Sequence, residues 1–293
     1  MVIVTGASGF IGANLLEALQ PAALAISLRD SGWPKKLASR RPAAIIHLAG
    51  YAHARCSEED MRRVNVGGTK ALAEEAVRSG VKRFIFLSSI QAIAKNTANN
   101  RSVNTNTSAI PQGAYGSSKL EAEQVLLRLS MQSQMEVVII RPPLVYGPGV
   151  KANFRNLLQL TDIGIPLPLS ALDSNRRSFV SISNLIDLIL LCLKHPAAAN
   201  QTIHVSDDDD ISTAELLRRI GRALGKPVRN LPITQTMLKS GLRLVGKGDW
   251  MDKLCGDLRV DISEAKRLLG WKPKVTMEEE FERTARWWRA RKL

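Results

Sequence analysis

Val2-Ile3-Val4-Thr5-Gly6-Ala7-Ser8-Gly9-Phe10-Ile11-Gly12-Ala13-Asn14-Leu15-Leu16-Glu17-Ala18-Leu19 stands at the head of the chain and sets its architecture. Val2 to Thr5 is a short apolar run of strand character, and from Phe10 the apolar positions recur at helical spacing. Gly6, Gly9 and Gly12 punctuate the junction as G-x-x-G-x-x-G. In that context the first glycine permits a tight turn, the second lets a pyrophosphate approach the backbone, and the third allows close helix–strand packing. The start of the helix adds unpaired N–H groups that attract an anion. The stretch predicts a dinucleotide-binding loop built from Gly6, Ser8, Gly9, Phe10, Ile11 and Gly12.

Strands are predicted next at Leu24–Leu28, Ala43–Leu48, Lys82–Ser89 and Glu136–Arg141, with helices over Glu58–Ser79 and Ala114–Gln132. Strands alternating with helices imply parallel pairing and right-handed crossovers, so the expected fold is α/β, a Rossmann-type doubly wound parallel sheet. Beyond Gly147-Pro148-Gly149 the elements become shorter and more charged. Phe179–Ile182 and Thr202–Val205 read as late strands, and Thr213–Leu224, Ser263–Leu269 and Met277–Trp288 as helices. We therefore assign residues 1–150 to a dinucleotide-binding domain, with 178–205 returning to it. Residues 151–177 and 206–293 form a smaller C-terminal substrate-binding lobe. The acidic run Asp207–Asp210 reads as a solvated turn ahead of the helix at Ser212.

Composition narrows the function. With 293 residues, 45% hydrophobic and 23% charged, the chain is of ordinary globular type. Met1 leads straight into the first strand, which predicts no targeting leader and a cytoplasmic location. The longest apolar stretch, Leu185–Leu193, contains Asp187 and falls short of the roughly 20 residues a membrane span requires. Cys56, Cys192 and Cys255 share no motif spacing and read as reduced packing residues, and the four histidines show no zinc-ligand spacing, so no metal site is expected. A net charge of +14 admits nucleic acid, an anionic membrane surface or small phosphorylated ligands as partners. Aromatics are scarce at 5%, the basic residues are scattered and no nucleic-acid motif is present, which argues against nucleic acid. The basic and apolar stretches Met237–Lys253 and Arg286–Lys292 would permit peripheral membrane contact, although an apolar face packed on the core accounts for them more simply.

Cofactor choice turns on the end of the second strand. A carboxylate there, Asp30, would favour NAD by accepting ribose hydroxyls, whereas Arg29 would pair with the additional phosphate of NADP. Arg29 is the first residue past the apolar alternation, and Lys35, Lys36, Arg40 and Arg41 follow it, so the reading favours NADP(H), with NAD the alternative. The chemical centre is expected at Tyr115-Gly116-Ser117-Ser118-Lys119, which sets a phenol and an ammonium four residues apart on one helix face. A neighbouring cation stabilises a phenolate and moves the phenol from its usual pKa of about 10 towards neutrality. The strand Phe84–Leu87 ends in Ser88-Ser89, delivering hydroxyls to the carboxyl edge of the sheet, where such folds bind ligands.

Together these residues resemble the extended short-chain dehydrogenases/reductases, also called the NAD-dependent epimerase/dehydratase family. The likeness runs over nearly the whole chain, through His47-Leu48-Ala49-Gly50, Val64-Asn65-Val66-Gly67-Gly68-Thr69, Arg141-Pro142-Pro143-Leu144-Val145-Tyr146-Gly147-Pro148-Gly149, Arg177-Ser178-Phe179-Val180 and Leu268-Leu269-Gly270-Trp271-Lys272-Pro273. The resemblance implies that Leu48, Ala49, Gly50 and Pro142 border the cofactor and that Lys119 also holds its nicotinamide ribose. It implies that Ser89 holds the substrate oxygen that Tyr115 protonates or deprotonates, with Gln91, Asn153 and Arg177 as further substrate contacts, the last two at a nucleotide diphosphate. Asn65 reads either as part of that centre or as a helix residue tying neighbouring backbone. Family dehydratases carry an acidic pair after the active-site hydroxyl; Ile90-Gln91 stand there instead, which argues against water elimination. Leu144 and Val145 replace asparagines common in relatives. The segment from Asp30 to Pro42 is short for the family and implies that one peripheral strand–helix unit is reduced. Gly164–Leu169 and Asn175–Val180 resemble bacterial reductases of UDP-4-keto-6-deoxy-N-acetylglucosamine, which implies C4-ketone reduction of a UDP-sugar; a UDP-hexose 4-epimerase with tightly bound NAD is the alternative. A homodimer through Glu58–Ser79 and Ala114–Gln132 is also implied. A non-catalytic scaffold is a third reading, which intact Ser89, Tyr115 and Lys119 oppose.

Overall fold

The computed structural model describes residues 1–51, 56–97, 101–244, 246 and 254–291, the side chains of Asn153 and Leu242 excepted. β1 (Val2–Thr5) passes through the glycine loop into α1 (Phe10–Leu19), followed by β2 (Ala23–Ile26) and α2 (Trp33–Arg40). The chain then crosses to the other side of β1 and lays down β3 (Ala44–His47), α3 (Glu58–Arg62), a π-helical turn (Arg63–Gly67), α4 (Gly68–Arg78) and β4 (Arg83–Leu87). After β5 (Ser102–Val103) come α5 (Gly113–Met131) and β6 (Glu136–Arg141), and much later β9 (Thr202–His204) completes the sheet. The strand order is β2-β1-β3-β4-β6-β9, all parallel, with Val2 opposite Ala23 on one side and Ala44 on the other. Strand order reverses beside β1, so the glycine loop sits at the switch point of the sheet, the crevice where such folds take their ligands.

Successive residues of the central strands face opposite helical layers. Val4, Ile46, Ile85 and Val138 pack with Leu15 of α1 and with Leu185, Leu188 and Ile189. Ile3, Ile45, Phe84, Phe86 and Val137 pack with Leu37, Leu72, Ala73 and Leu126 of α2, α4 and α5. A strand covered on both faces reads as a continuous apolar run, which is why Ala44–His47 and Phe84–Leu87 stood out in the sequence. β2 is the edge strand, Leu24 on it is exposed, and among the described residues no strand lies outside it. The short segment after Asp30 holds only α2, in keeping with the expected loss of a peripheral unit.

The remaining elements are β7 (Leu144–Tyr146), α6 (Ala152–Ile163), β8 (Phe179–Ser181), α7 (Ile182–Lys194), α8 (Thr213–Leu224), α9 (Gln235–Leu244), β10 (Arg259–Val260), α10 (Ser263–Leu269) and α11 (Met277–Ala290). α7 and α10 cover the large sheet, whereas Tyr146, Phe154, Phe179, Leu216, Ile220, Phe281 and Trp288 form a separate aromatic-rich core. β8 pairs in parallel with β7 in a two-stranded sheet of its own. The C-terminal basic stretch, as far as Arg291, belongs to α11 and its cap, and α11 buries Phe281, Ala285 and Trp288 against this core. Of Met237–Lys253, residues 245 and 247–253 lie outside the described residues. No helix among the described residues is long and apolar enough to cross a membrane, and they hold no cluster able to bind a metal.

Two expectations need correction. The helix over Glu58–Ser79 is broken by the π turn at Arg63–Gly67, which shifts Asn65 out of ordinary α register. Nor is Asp207–Asp210 solvated throughout: Asp208 is exposed, as expected, but Asp207 is not. Asp207 is buried and takes hydrogen bonds from Tyr146 Oη (2.7 Å), Asn184 Nδ2 (2.7 Å) and the Ser181 N–H, while Asp208 pairs with Lys266, Asp209 with Arg219, and Asp210 accepts from Ser178 Oγ (2.5 Å). Each carboxylate clamps a different element, and only the tertiary partners reveal it.

Candidate active site

The glycine loop closes on itself through Gly9 N–H donating to Gly6 O (2.9 Å). Gly6 has φ +73°, and a Cβ there would stand 2.6 Å from Ala49 N; at Gly12 a Cβ would stand 2.2 Å from Gly6 O. Neither position accepts a side chain, because the loop, α1 and the Leu48-Ala49-Gly50 segment converge there. Gly9 caps α1 with no side-chain hydrogen bond, and the first turn holds no acidic residue, so the helix N-terminus offers its N–H groups to an anion without a competing carboxylate. These features fit the pyrophosphate of a dinucleotide. Ser8 is exposed at the loop tip, the Phe10 side chain packs on the small-lobe core and Ile11 on the large one. Lys151, which sequence reasoning missed, brings Nζ to 3.5 Å from Ser8 O; its only sequence signal is a cation just after Gly147-Pro148-Gly149-Val150.

His47 ends β3 beneath this loop, fully buried. Thr69 Oγ1 donates to Asn65 O (2.6 Å), so it accepts from His47 Nε2 at 2.9 Å, and Thr5 Oγ1 at 2.6 Å donates to Nδ1. Burial, with Lys119 nearby, pushes His47 down to about 3, so the ring stays neutral. Thr5 Oγ1 also accepts from Ala49 N–H (3.4 Å), which ties the histidine to the Leu48–Gly50 segment. Asn65 accepts from Tyr51 N–H (2.7 Å) and donates to Tyr51 O (3.0 Å) and Ser118 Oγ (2.9 Å). Of the two readings of Asn65, these bonds match the one that ties neighbouring backbone.

β4 delivers Ser89 as it leaves the sheet. Ser89 Oγ accepts from Gln91 N–H (3.2 Å), and Ile90 N–H donates to the buried Pro142 at its carbonyl (3.0 Å). Tyr115, on the first turn of α5, has the Ser89 side chain near its phenol, which favours the ionised form. One turn later Lys119 is buried, Nζ donating to Leu87 O (2.8 Å) and lying 4.5 Å from the Phe86 ring centroid. The expectation that the lysine lowers the phenol is corrected here: burial pushes Tyr115 up to about 12, opposed by the Ser89 side chain, and burial pulls Lys119 down to about 8, opposed by Glu123. One Lys119 N–H is taken by the Leu87 carbonyl, and for the phenol desolvation is the larger influence. The pair sets a phenol, a group able to give or take a proton, one helical turn from an ammonium.

Ser89, Tyr115, Lys119, Pro142 and the glycine loop thus meet at one end of the sheet. Gln91 is exposed on the turn after Ser89. Arg29 is exposed past β2, its N–H on Ser27 Oγ (3.3 Å), while Asp30 accepts from Gly32 N–H (2.9 Å) and pairs with Lys36. Arg177 belongs to the small lobe, where Nη1 donates to Gly256 O (2.6 Å) and burial lowers its pKa, opposed by Asp257. Asn153 lies in α6, and its side chain is outside the described residues.

The sequence from residue 2 to residue 206 matches the profile of the NAD dependent epimerase/dehydratase family. A protein of Vibrio cholerae named UDP-glucose 4-epimerase is 42% identical, the alignment covering 97% of this chain and 94% of that one. An Escherichia coli O157:H7 protein, N-acetyl-alpha-D-glucosaminyl-diphospho-ditrans,octacis-undecaprenol 4-epimerase, is 27% identical over 81% of this chain and 77% of its own. Among solved structures, UDP-glucose 4-epimerase from Thermotoga maritima with UDP-glucose superposes with a TM-score of 0.81 at 20% identity, covering 100% of this chain and 99% of that one. A Bordetella bronchiseptica enzyme in complex with NAD and UDP gives 0.78 at 20% identity, covering 99% and 95%. These structures share the fold, and the sequence match carries the kinship: the chain belongs to the NAD-dependent epimerase/dehydratase family.

Proposed function

We propose that this protein inverts the configuration at C4 of a UDP-hexose, with NAD as its cofactor. The observation that carries the reading is the Ser89–Tyr115 hydroxyl pair at the carboxyl end of the sheet beside the phosphate loop. The substrate class follows the 42% identical relative named UDP-glucose 4-epimerase. Gly6, Gly9 and the start of α1 would hold the pyrophosphate, with Leu48, Ala49, Gly50 and Lys119 beside the ribose and nicotinamide. When bound, the nicotinamide supplies reversible hydride transfer at C4. Ser89 orients the sugar O4, Tyr115 exchanges its proton, and Lys119 remains cationic below about pH 8. Arg177, with donors beyond the one on Gly256, would meet the diphosphate.

A second reading is reduction of a UDP-4-keto-6-deoxy-N-acetylhexosamine with NADPH. It is favoured by Tyr115 held as a proton donor and by Arg29, exposed while Asp30 is engaged by Lys36 and Gly32. The deciding experiment is a cofactor balance. Epimerisation interconverts UDP-galactose and UDP-glucose with no net change in nicotinamide absorbance. Loss of one NADPH per keto-sugar, with no hexose interconversion, would replace the epimerase reading by the reductase. We also propose a homodimer through α3, α4 and α5, on which Leu127 and Met131 are exposed four residues apart. A monomer mass by light scattering would exclude that assembly.

A further inference from the structure

Tyr115, Lys119 and Glu123 follow one another at four-residue spacing, a single stripe of α5. Two of them grip consecutive residues where β4 leaves the sheet, Lys119 the Leu87 carbonyl and Glu123 the Ser88 hydroxyl, and Tyr115 stands at the next one, Ser89. Glu123 is 1% exposed and lies below the reacting end of the stripe. Its carboxylate also receives Arg141 Nε (3.0 Å) and Nη2 (2.5 Å) from the end of β6, and Arg141 Nη1 stands 3.5 Å from His204 Nε2. Replacing a buried ion pair by apolar side chains of like volume is often neutral or stabilising, so stability alone is a weak account of this pair.

The surroundings of Lys119 give the carboxylate a second consequence. From its own helix Lys119 faces Tyr115 and Glu123. From β3 it faces His47, held neutral; from β4 the Phe86 ring; from the π turn the uncharged Asn65. Farther along the network lie Arg141 on β6 and His204 on β9, the latter pushed down to about 4 by burial. Glu123 is the charge that favours the ammonium, and desolvation works against it.

We propose that Glu123 is a positioning residue of the active site: by holding Ser88 and Arg141 its carboxylate locks the ends of β4 and β6 to α5, one turn below Lys119. A consequence is that its charge favours the Lys119 ammonium. The proposal rests on the reading of Lys119 as part of the reacting centre, and the test separates the two. Lys119 is titrated through its lysine ¹³Cε NMR signal, assigned by its disappearance in Lys119→Met, a readout that needs no substrate. In Glu123→Gln the midpoint falls by about one pH unit, a tenfold change in the protonation equilibrium. Turnover at pH 8 falls with it, chiefly in kcat. Glu123→Asp, which restores the charge, returns the midpoint towards the native value. Glu123→Gln with Arg141→Met removes the orphaned guanidinium and recovers thermal stability, but the Lys119 midpoint remains below the native one because the carboxylate is still missing. An unchanged midpoint in both Gln variants, or a midpoint restored by Arg141→Met alone, would overturn the proposal. Full turnover in Lys119→Met would instead overturn the reading of the centre and leave the NMR result to decide the role of Glu123.

Discussion

Acid should destabilise this fold through His47, and the size of the effect comes from its surroundings. The ring is fully buried, Nε2 donates to Thr69 and Nδ1 accepts from Thr5, so a second ring proton would force the Thr5 hydrogen bond to reverse and add a charge near Lys119. Burial lowers the folded pKa from 6.5 to about 3. Between those values the unfolded chain binds a proton that the folded one refuses, so stability rises with pH and is lost as pH falls through 6.5. From pH 7 to pH 5 the linkage relation gives a loss of about 2 kcal/mol from this one side chain. The assay is urea unfolding of the native protein and of His47→Asn at both pH values, comparing the two pH differences rather than the absolute stabilities. The native protein should lose about 2 kcal/mol more than the variant. Equal losses would refute the reasoning and mean that His47 takes its proton without leaving the fold.

Tyr115→Phe should lower kcat by at least about a hundredfold while nicotinamide affinity is nearly unchanged, since only the proton-exchanging oxygen is removed; turnover and cofactor titration check both halves. Native activity should decline as pH rises through about 8, where Lys119 loses its charge, and a pH–rate profile flat to pH 10 would contradict that assignment. Arg29→Ala should weaken NADPH binding and leave NADH unaffected; isothermal titration that finds both unchanged would remove Arg29 from the cofactor site. Gly6→Ala should weaken the binding of either cofactor at least about tenfold, because the added carbon meets backbone at Ala49 and the site φ is +73°. Calorimetric affinities equal to native would show that the loop can yield.

The sequence by itself determined the architecture and pointed to the residues of the proposed centre. Gly6-x-x-Gly9-x-x-Gly12 after a four-residue strand, unbroken apolar strands such as Phe84–Leu87, and the Tyr115/Lys119 spacing are local signals, carried by residues within a turn or two of one another. What they could not carry is the balance of solvation around each group. Lys119 reads as the partner of Tyr115, yet it donates to the Leu87 carbonyl and burial sets the phenol high. Asp207 reads as one of four surface acids, yet it is closed in by Tyr146, Ser181 and Asn184. Glu123 and Arg141, 18 residues apart, give no pattern in the chain and meet only because α5 packs against the end of β6. Pattern and spacing are properties of neighbours along the chain, while desolvation and ion pairing are properties of neighbours in space, and those exist only once the sheet and its helices have closed.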